Sequence, residues 1–443
     1  MNRSNASTHP DYLTREEALR RLQVKPQTLY AYVSRGYIRS LPAQAAGPTP
    51  RRGSVYSRDD VDKMRARSLA RAGHGPAAAS AMHWGQPVFP SAITDITPEG
   101  PRYRSRLAID LARAGVPFET VAEYLWTGDW SDELIAWDAE PVPDGLADLL
   151  QALTRLHPRP HVLQLQAQAT LALSVAEGSF SERIHAGGTP VVSARRLMHA
   201  LAGVFGYLGP AGCFVAPPPG EPLALALARN LGVSATPEHE QALNAALVLA
   251  ADHELSPATF AARIAASGRA DLHACIVAAL NVHYGSLIGR ACDKVESLLE
   301  QPLDAAAVLL RVRRRLDAAR MLPGFNHVLY PQGDPRARHL IALAREFAPE
   351  RSLLLAIDRM QSEFNLYPGL EAALVILMRA LGAPDHSAGG VLALARSAGW
   401  VAHVLEQRMA GFMIRPRAQF RPAPGAAIAA SLLPGGGAAP ASR

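Results

Sequence analysis

Cysteine is scarce in this 443-residue chain. Cys213, Cys275 and Cys292 are odd in number and far apart. That pattern excludes a disulfide framework and a cysteine metal knuckle, and predicts a reduced, cytoplasmic chain with no structural metal. Aromatic residues are also few, at 6%. No repeat of 20–50 residues is visible. The opening MNRSNASTHPDYLTREEAL has no apolar h-region, which argues against a signal peptide. The most apolar stretch, residues 197–216, is interrupted by His199, four glycines and Pro210. These residues exclude a membrane span and predict a buried core helix ending near Gly209-Pro210.

What is abundant is apolar aliphatic sequence. Hydrophobic residues make up 49%, dominated by Ala and Leu, strong helix formers and poor strand formers. The expected fold class is mainly α, and the length implies two or three domains. The net charge of +6 is uneven. Residues 1–75 carry 14 Lys and Arg against 6 Asp and Glu, while the remainder carries 31 against 33. A polyanionic partner is therefore expected for the first sixth of the chain alone.

Residues 10–71 read as one unit. Thr14 and Glu17 form a capping box ahead of a stripe made by Leu13, Ala18, Leu19 and Leu22. Pro26 suits the first position of a second helix, PQTLYAYVSRG, with Gly36 as its C-cap. An extended arm from Tyr37-Ile38 and a return strand at Val55-Tyr56 follow, then a helix capped by Ser57. TREEALRRLQVKPQTLYAYVSRGYI with VYSRDDVDKM resembles the winged helix-turn-helix of the MerR and excisionase group. The resemblance implies that the second helix, through Gln27, Thr28, Tyr30 and Tyr32, enters the major groove of duplex DNA. Arg35, Arg39, Arg51 and Arg52 would contact phosphates. The alternative is a module that only mediates protein contacts. Residues 72–83 form a small-residue linker, 84–421 a helical domain, and the Ala/Gly/Pro-rich 422–443 a disordered tail.

In the helical domain, SAITDITPEGPRYRSRLAIDLA, FETVAEYLWTGDW, ADHELSPATFAARIAASGRADLHACIVAAL, GFNHVLYPQGDPRARHL, ARSAGWVAHVLEQ and MIRPRAQF occur in that order. They resemble the citrate synthase family. The resemblance implies a large helical domain and a smaller one, about residues 290–382, closing over oxaloacetate and acetyl-CoA in a homodimer, with no other cofactor and no membrane. It makes Arg336, Arg396 and Arg415 the carboxylate-binding arginines, Arg415 reaching across from the partner subunit. Arginine's planar fork suits bidentate carboxylate binding. His253 would hydrogen-bond oxaloacetate, and His327 would polarise its carbonyl and protonate the alkoxide.

Two positions depart from the pattern. Where the family has the enol-stabilising histidine of Gly-Pro-x-His-Gly-Gly-Ala-Asn, this chain has Gly285-Ser286-Leu287-Ile288-Gly289-Arg290-Ala291-Cys292. Ile288 offers no hydrogen bond, and Arg290 and Cys292 add bulk and charge beside the pantetheine path. His283, five residues back, would lie roughly 140° round a continuous helix and so could not substitute. The catalytic base is an aspartate in the family. Aligned on Pro368, Glu371 replaces it, while an ungapped shift on Asn365 would instead leave Tyr367 there. A carboxylate displaced by about 1 Å can cost ~10²-fold in rate. Feeble condensation is expected. Three functions remain open on this reading: a divergent citrate or 2-methylcitrate synthase with Ser286 or a water as donor, a dicarboxylate- or acyl-CoA-sensing transcription regulator, and a structural subunit lending Arg415 to an active paralogue.

Overall fold

The computed structural model describes residues 12–22, 24–34, 37–42, 54–58, 60–62, 64, 89–133, 135–137, 142–143, 145–157, 159–177, 190–300, 304–317, 322–347 and 351–416. The chain divides into two compact units, residues 1–90 with 415–443, and Ser91–Ile414.

In the first unit, β1 (Tyr12–Leu13), α1 (Arg15–Leu22), α2 (Pro26–Ser34), β2 (Ser40–Pro42) and β3 (Ser54–Ser57) follow one another. The sheet is antiparallel in the order β1-β3-β2, with Leu41 opposite Val55 and Leu13 opposite Tyr56. The capping box forms: Thr14 N–H donates to Glu17 Oε2 at 2.8 Å and Glu17 N–H to Thr14 Oγ1 at 3.3 Å. Leu13, Ala18, Leu22, Leu29, Ile38, Tyr56, Val61 and Met64 bury together as a small core. Gln27 and Tyr30 are exposed on α2 and Thr28 is half-buried. Arg39, expected to contact phosphate, is 73% exposed and paired within the unit. Its guanidinium grips Asp60 through Nε (2.8 Å) and Nη2 (3.0 Å), holding that carboxyl down to about 2. Arg35, Gly36, Arg51, Arg52, the linker and the tail lie outside the described residues.

The second unit opens with a β-meander absent from the all-helical expectation: β4 (Thr94–Thr97), β5 (Gly100–Tyr103) and β6 (Arg106–Leu107). Helices follow: α3 (Ala108–Arg113), α4 (Phe118–Thr127), α5 (Leu146–Leu156), α6 (Val162–Glu177), α7 (Pro190–Gly203), α8 (Leu223–Leu231), α9 (Pro237–Ala250), α10 (Pro257–Ser267), α11 (Leu272–His283), α12 (Ala291–Leu298), α13 (Ala305–Asp317), α14 (Pro335–Phe347), α15 (Arg351–Phe364), α16 (Leu370–Ala380) and α17 (Ser387–Ala410). Polar caps start several of them: Thr236, Ser256 and Asp271 each accept a first-turn N–H, with proline next at 237 and 257. The predicted core helix over the apolar 197–216 stretch exists as α7, continued by a 3₁₀ turn at Val204–Tyr207.

The second unit is built around α17. It is buried almost without interruption from Ser387 to Val404 and packs on α4, α6, α7, α9, α10, α11 and α16. It is long and apolar enough to cross a membrane, but 94% of its apolar window is buried inside the protein. Small residues allow that close packing. At Gly399 any Cβ would overlap Asp252 Oδ1 and the Ala251 carbonyl, and Gly399 N–H donates to that carbonyl at 3.0 Å.

Candidate active site

Residues far apart in sequence converge beside α17. His253 sits in the loop after α9, His327 and Tyr330 in the loop before α14, Arg336 in the first turn of α14, Glu371 in the first turn of α16, and Arg396 midway along α17. The His253 and His327 rings meet edge-on with centroids 5.1 Å apart. Tyr330 lies against both, and its hydroxyl is 3.3 Å from His253 Nε2. Arg336 stacks its guanidinium 5.4 Å from the Tyr330 centroid.

Glu371 reaches this cluster through a short strand-like contact. Asn326 N–H donates to Tyr367 O (2.8 Å), Tyr367 N–H to Asn326 Oδ1 (2.8 Å) and Gly369 N–H to Gly324 O (2.7 Å). Asn326 has φ +53°, a left-handed conformation that asparagine tolerates better than most residues. Tyr367 packs its ring on Gly333, whereas Glu371 acts electrostatically on His327, Arg336 and Arg396. Of the two alignments, the one on Pro368 puts at this position a carboxylate, Glu371, whose charge reaches His327.

The two buried arginines are not equivalent. Arg336 is held bidentately by Asp334, with Nε at 3.0 Å and Nη2 at 2.7 Å, and its buried Nη1 has no partner. Arg396 donates Nε–H to the Ala250 carbonyl at 2.9 Å and makes no ion pair among the described residues. Burial accordingly pushes its pKa down, with Arg336 adding repulsion. A buried guanidinium with no carboxylate of its own is an electrostatic deficit that an anionic ligand would fill. The same surplus of positive charge acts on the histidines. Burial, then Arg336 and Arg396, holds His253 well below its ordinary value, and burial with Arg336 lowers His327. Both imidazoles are neutral at pH 7 and can donate one proton each.

Behind the site runs a polar chain that sequence reasoning missed. Arg263 Nη1 donates to His403 Nδ1 (3.2 Å), so His403 carries its proton on Nε2 and donates to Asp252 Oδ2 (3.4 Å). Asp252 precedes His253 and lies within electrostatic reach of Arg396. The signal was present in ADHE and GWVAH, but nothing local relates two motifs so far apart in sequence. Tyr330, inside a quoted motif, was passed over because its backbone context predicts only a loop.

One sequence argument fails. α11 ends at His283, and residues 284–290 are turns closed by Gly289 N–H donating to His283 O at 2.8 Å. The 140° projection along a helix therefore does not apply to His283. Its ring is buried against Gly289, where a Cβ would strike Nε2, and lies 5.5 Å from the Trp400 ring. Nε2 has no partner, and burial holds the group at about 3. Ile288 is half-buried, and Ser286 and Leu287 are exposed, as is Arg415. Arg290 is turned onto Asp293 (2.9 Å).

Comparison with known proteins places this geometry. Residues 81–417 match the family described as citrate synthase, C-terminal domain. Citrate synthase 2 of Bacillus subtilis is 32% identical over 197 residues, 43% of this chain and 53% of that protein. The 2-methylcitrate synthase of Shewanella oneidensis is 27% identical over 189 residues, 41% and 50% of the two chains. The chain thus spans about half the length of the relatives it matches by sequence. Among solved structures, the Thermoplasma acidophilum citrate synthase, in a ternary complex with carboxymethyl coenzyme A and oxaloacetate, superposes with a TM-score of 0.65. It is 22% identical and aligns with 76% of this chain and 95% of its own. The Thermotoga maritima citrate synthase gives a TM-score of 0.63 at 25% identity, covering 76% and 94%. With a family match across most of its length and the same fold in both solved enzymes, the chain belongs to the citrate synthase family.

Proposed function

We propose that the second unit binds oxaloacetate, or a closely related dicarboxylate, and condenses it with an acyl-CoA only feebly. The observation that carries this reading is Arg396, buried and without an ion-pair partner among the described residues, together with the unpartnered Nη1 of Arg336. In this reading one ligand carboxylate lies on Arg396 and the other on Arg415 of the partner subunit. Arg336 Nη1 reaches the first, and neutral His253 and His327 donate to the carbonyl. Residues 290–382 form the smaller lobe that closes over the ligand and excludes water. Neutral donors suit an alkoxide-forming addition, because each can pass on its proton as charge develops.

Deprotonation is the weak step. Glu371 is the carboxylate available to remove the thioester α-proton, and Ile288, at the enol-stabilising position, offers no hydrogen bond to the resulting enolate. Losing one preorganised donor of this kind typically costs ~10²–10³-fold in rate. Calorimetric titration of the full chain with oxaloacetate, citrate and acetyl-CoA, run beside a thiol-release assay, tests the reading. Oxaloacetate binding in the low-millimolar range or better, with slow or absent thiol release, is expected. No oxaloacetate binding would overturn it.

A second reading is favoured by the first unit. Its two helices and antiparallel strands support a winged helix-turn-helix reading, with Gln27, Thr28 and Tyr30 on the second helix facing DNA and Arg35, Arg51 and Arg52 as phosphate contacts. In that reading the dicarboxylate site regulates DNA binding. The full chain should then retard duplex DNA with steep salt dependence, and an Arg51→Ala/Arg52→Ala variant should lose both affinity and slope. Unretarded DNA at low salt would leave the unit a protein-contact module.

A further inference from the structure

We propose that Asp293, Glu296 and His386 form a site for one divalent transition-metal cation of the zinc type, with His161 as the outer residue that orients Asp293. The four residues come from three places. His161 immediately precedes α6, Asp293 and Glu296 are nearly one turn apart on α12, and His386 is the N-cap of α17.

Their spacing is that of ligands around a small ion. His386 Nδ1 lies 3.1 Å from Glu296 Oε2 and 3.5 Å from Asp293 Oδ1. Ligand atoms of His161, Asp293 and His386 all fall within 4.8 Å of one another. Nitrogen and oxygen ligands about 2.0–2.2 Å from a tetrahedral ion stand roughly 3.3–3.5 Å apart, close to the two distances at His386. The backbone is already committed to this arrangement. His386 takes φ +66°, and its N–H donates to both Glu296 oxygens at 3.0 and 3.1 Å.

His161 is assigned the outer role by its tautomer. Leu163 N–H donates to Nδ1 at 3.2 Å, so the ring proton sits on Nε2 and points at Asp293, 3.2 Å from Oδ2. A nitrogen bearing a proton cannot ligate, but it can hold a ligating carboxylate in orientation, the usual task of an outer residue. The Asp293 and Glu296 side chains are only 14% and 8% exposed, and the arginine on Asp293, Arg290, is itself 44% exposed. The two nearly buried carboxylates flank the His386 imidazole, and a divalent ion bound between them would be neutralised by their charge. His386 is 56% exposed, which supplies an entry path and room for a water ligand. The mixed nitrogen and oxygen set favours a zinc-type ion over magnesium or calcium, which take oxygen alone. Bound there, the ion would tie the ends of α6, α12 and α17 together beside the turn that carries Ile288.

The test titrates tag-free full-length chain, carrying Cys213→Ser to remove the exposed thiol, with Zn²⁺ and with Co²⁺. One equivalent should bind, and the cobalt form should show visible d–d absorption without a thiolate charge-transfer band. Asp293→Asn and His386→Ala should each abolish the stoichiometric equivalent. His161→Ala should weaken it by roughly 10–100-fold, and the exposed Glu300→Gln should leave it unchanged. Melting in chelator identifies which variants are folded, and His386→Gln replaces any that is not. The proposal is overturned by the absence of a saturable equivalent, or by one that survives both Asp293→Asn and His386→Ala.

Discussion

Arg396 and Arg336 differ by a single partner, and that difference orders their effects. Arg336 is neutralised by Asp334, whereas Arg396 bonds the Ala250 carbonyl and makes no ion pair among the described residues. Removing Arg396 should therefore weaken oxaloacetate binding by about 2–5 kcal/mol, the range for truncating one partner of a desolvated charge pair. Calorimetry on Arg396→Ala measures this, and binding as tight as wild type would contradict the assignment. The proposed catalytic shortfall belongs to the same scale. Ile288→His restores a donor but leaves the base one methylene too long, and Glu371→Asp does the reverse. Residues acting as one catalytic unit are strongly non-additive, so each change alone should recover little thiol release. The double variant should recover more than the product of the two. A wild-type rate typical of ordinary citrate synthases would defeat the reasoning, since another group would then be supplying the donor.

At the scale of elements, α17 decides how closely the histidine loop can approach. Its Gly399 admits the Ala251–Asp252 backbone directly against the helix, and the Asp252–His403–Arg263 chain holds that contact one turn further along. Gly399→Ala would drive a methyl into Asp252. Overpacking of this kind commonly costs about 1–3 kcal/mol. Denaturant unfolding should show a loss in that range, and oxaloacetate affinity should fall with it because His253 follows Asp252. A neutral Gly399→Ala would mean that the loop yields freely.

At the scale of the whole molecule, buried titratable groups set the pH response. His283 is held at about 3 by burial, with Arg396 adding to the effect, while in the unfolded chain it titrates near its ordinary 6.5. The unfolded state therefore binds the extra proton between those values. The stability this residue contributes is complete above pH 6.5 and is lost as pH falls from 6.5 toward 3, by up to about 1.4 kcal/mol per unit. Glu296 opposes it. Burial raises its carboxyl to about 7, so its contribution is lost as pH rises from 4.5 through 7. Comparing wild type with His283→Leu in chelator isolates the histidine. The variant should lose less stability than wild type between pH 6.5 and 4.5, and parallel curves would show that His283 is not neutral and buried.

Much of this was legible in the sequence, for reasons of range. The helical class follows from Ala and Leu content, and the Thr14–Glu17 box follows from chemistry acting over three residues. The motif frames named His253, His327, Arg336, Glu371 and Arg396, because each frame is short and distinctive. Tertiary structure decided what no local rule reaches. It brought those five residues to one side of α17, left Arg396 unpaired while giving Asp334 to Arg336, and ended α11 at His283 so that a helical projection no longer applied. It also gathered His161, Asp293, Glu296 and His386, which have no shared spacing in the chain. Which buried charge keeps a partner is settled by packing across the whole domain, and that information resides only in the fold.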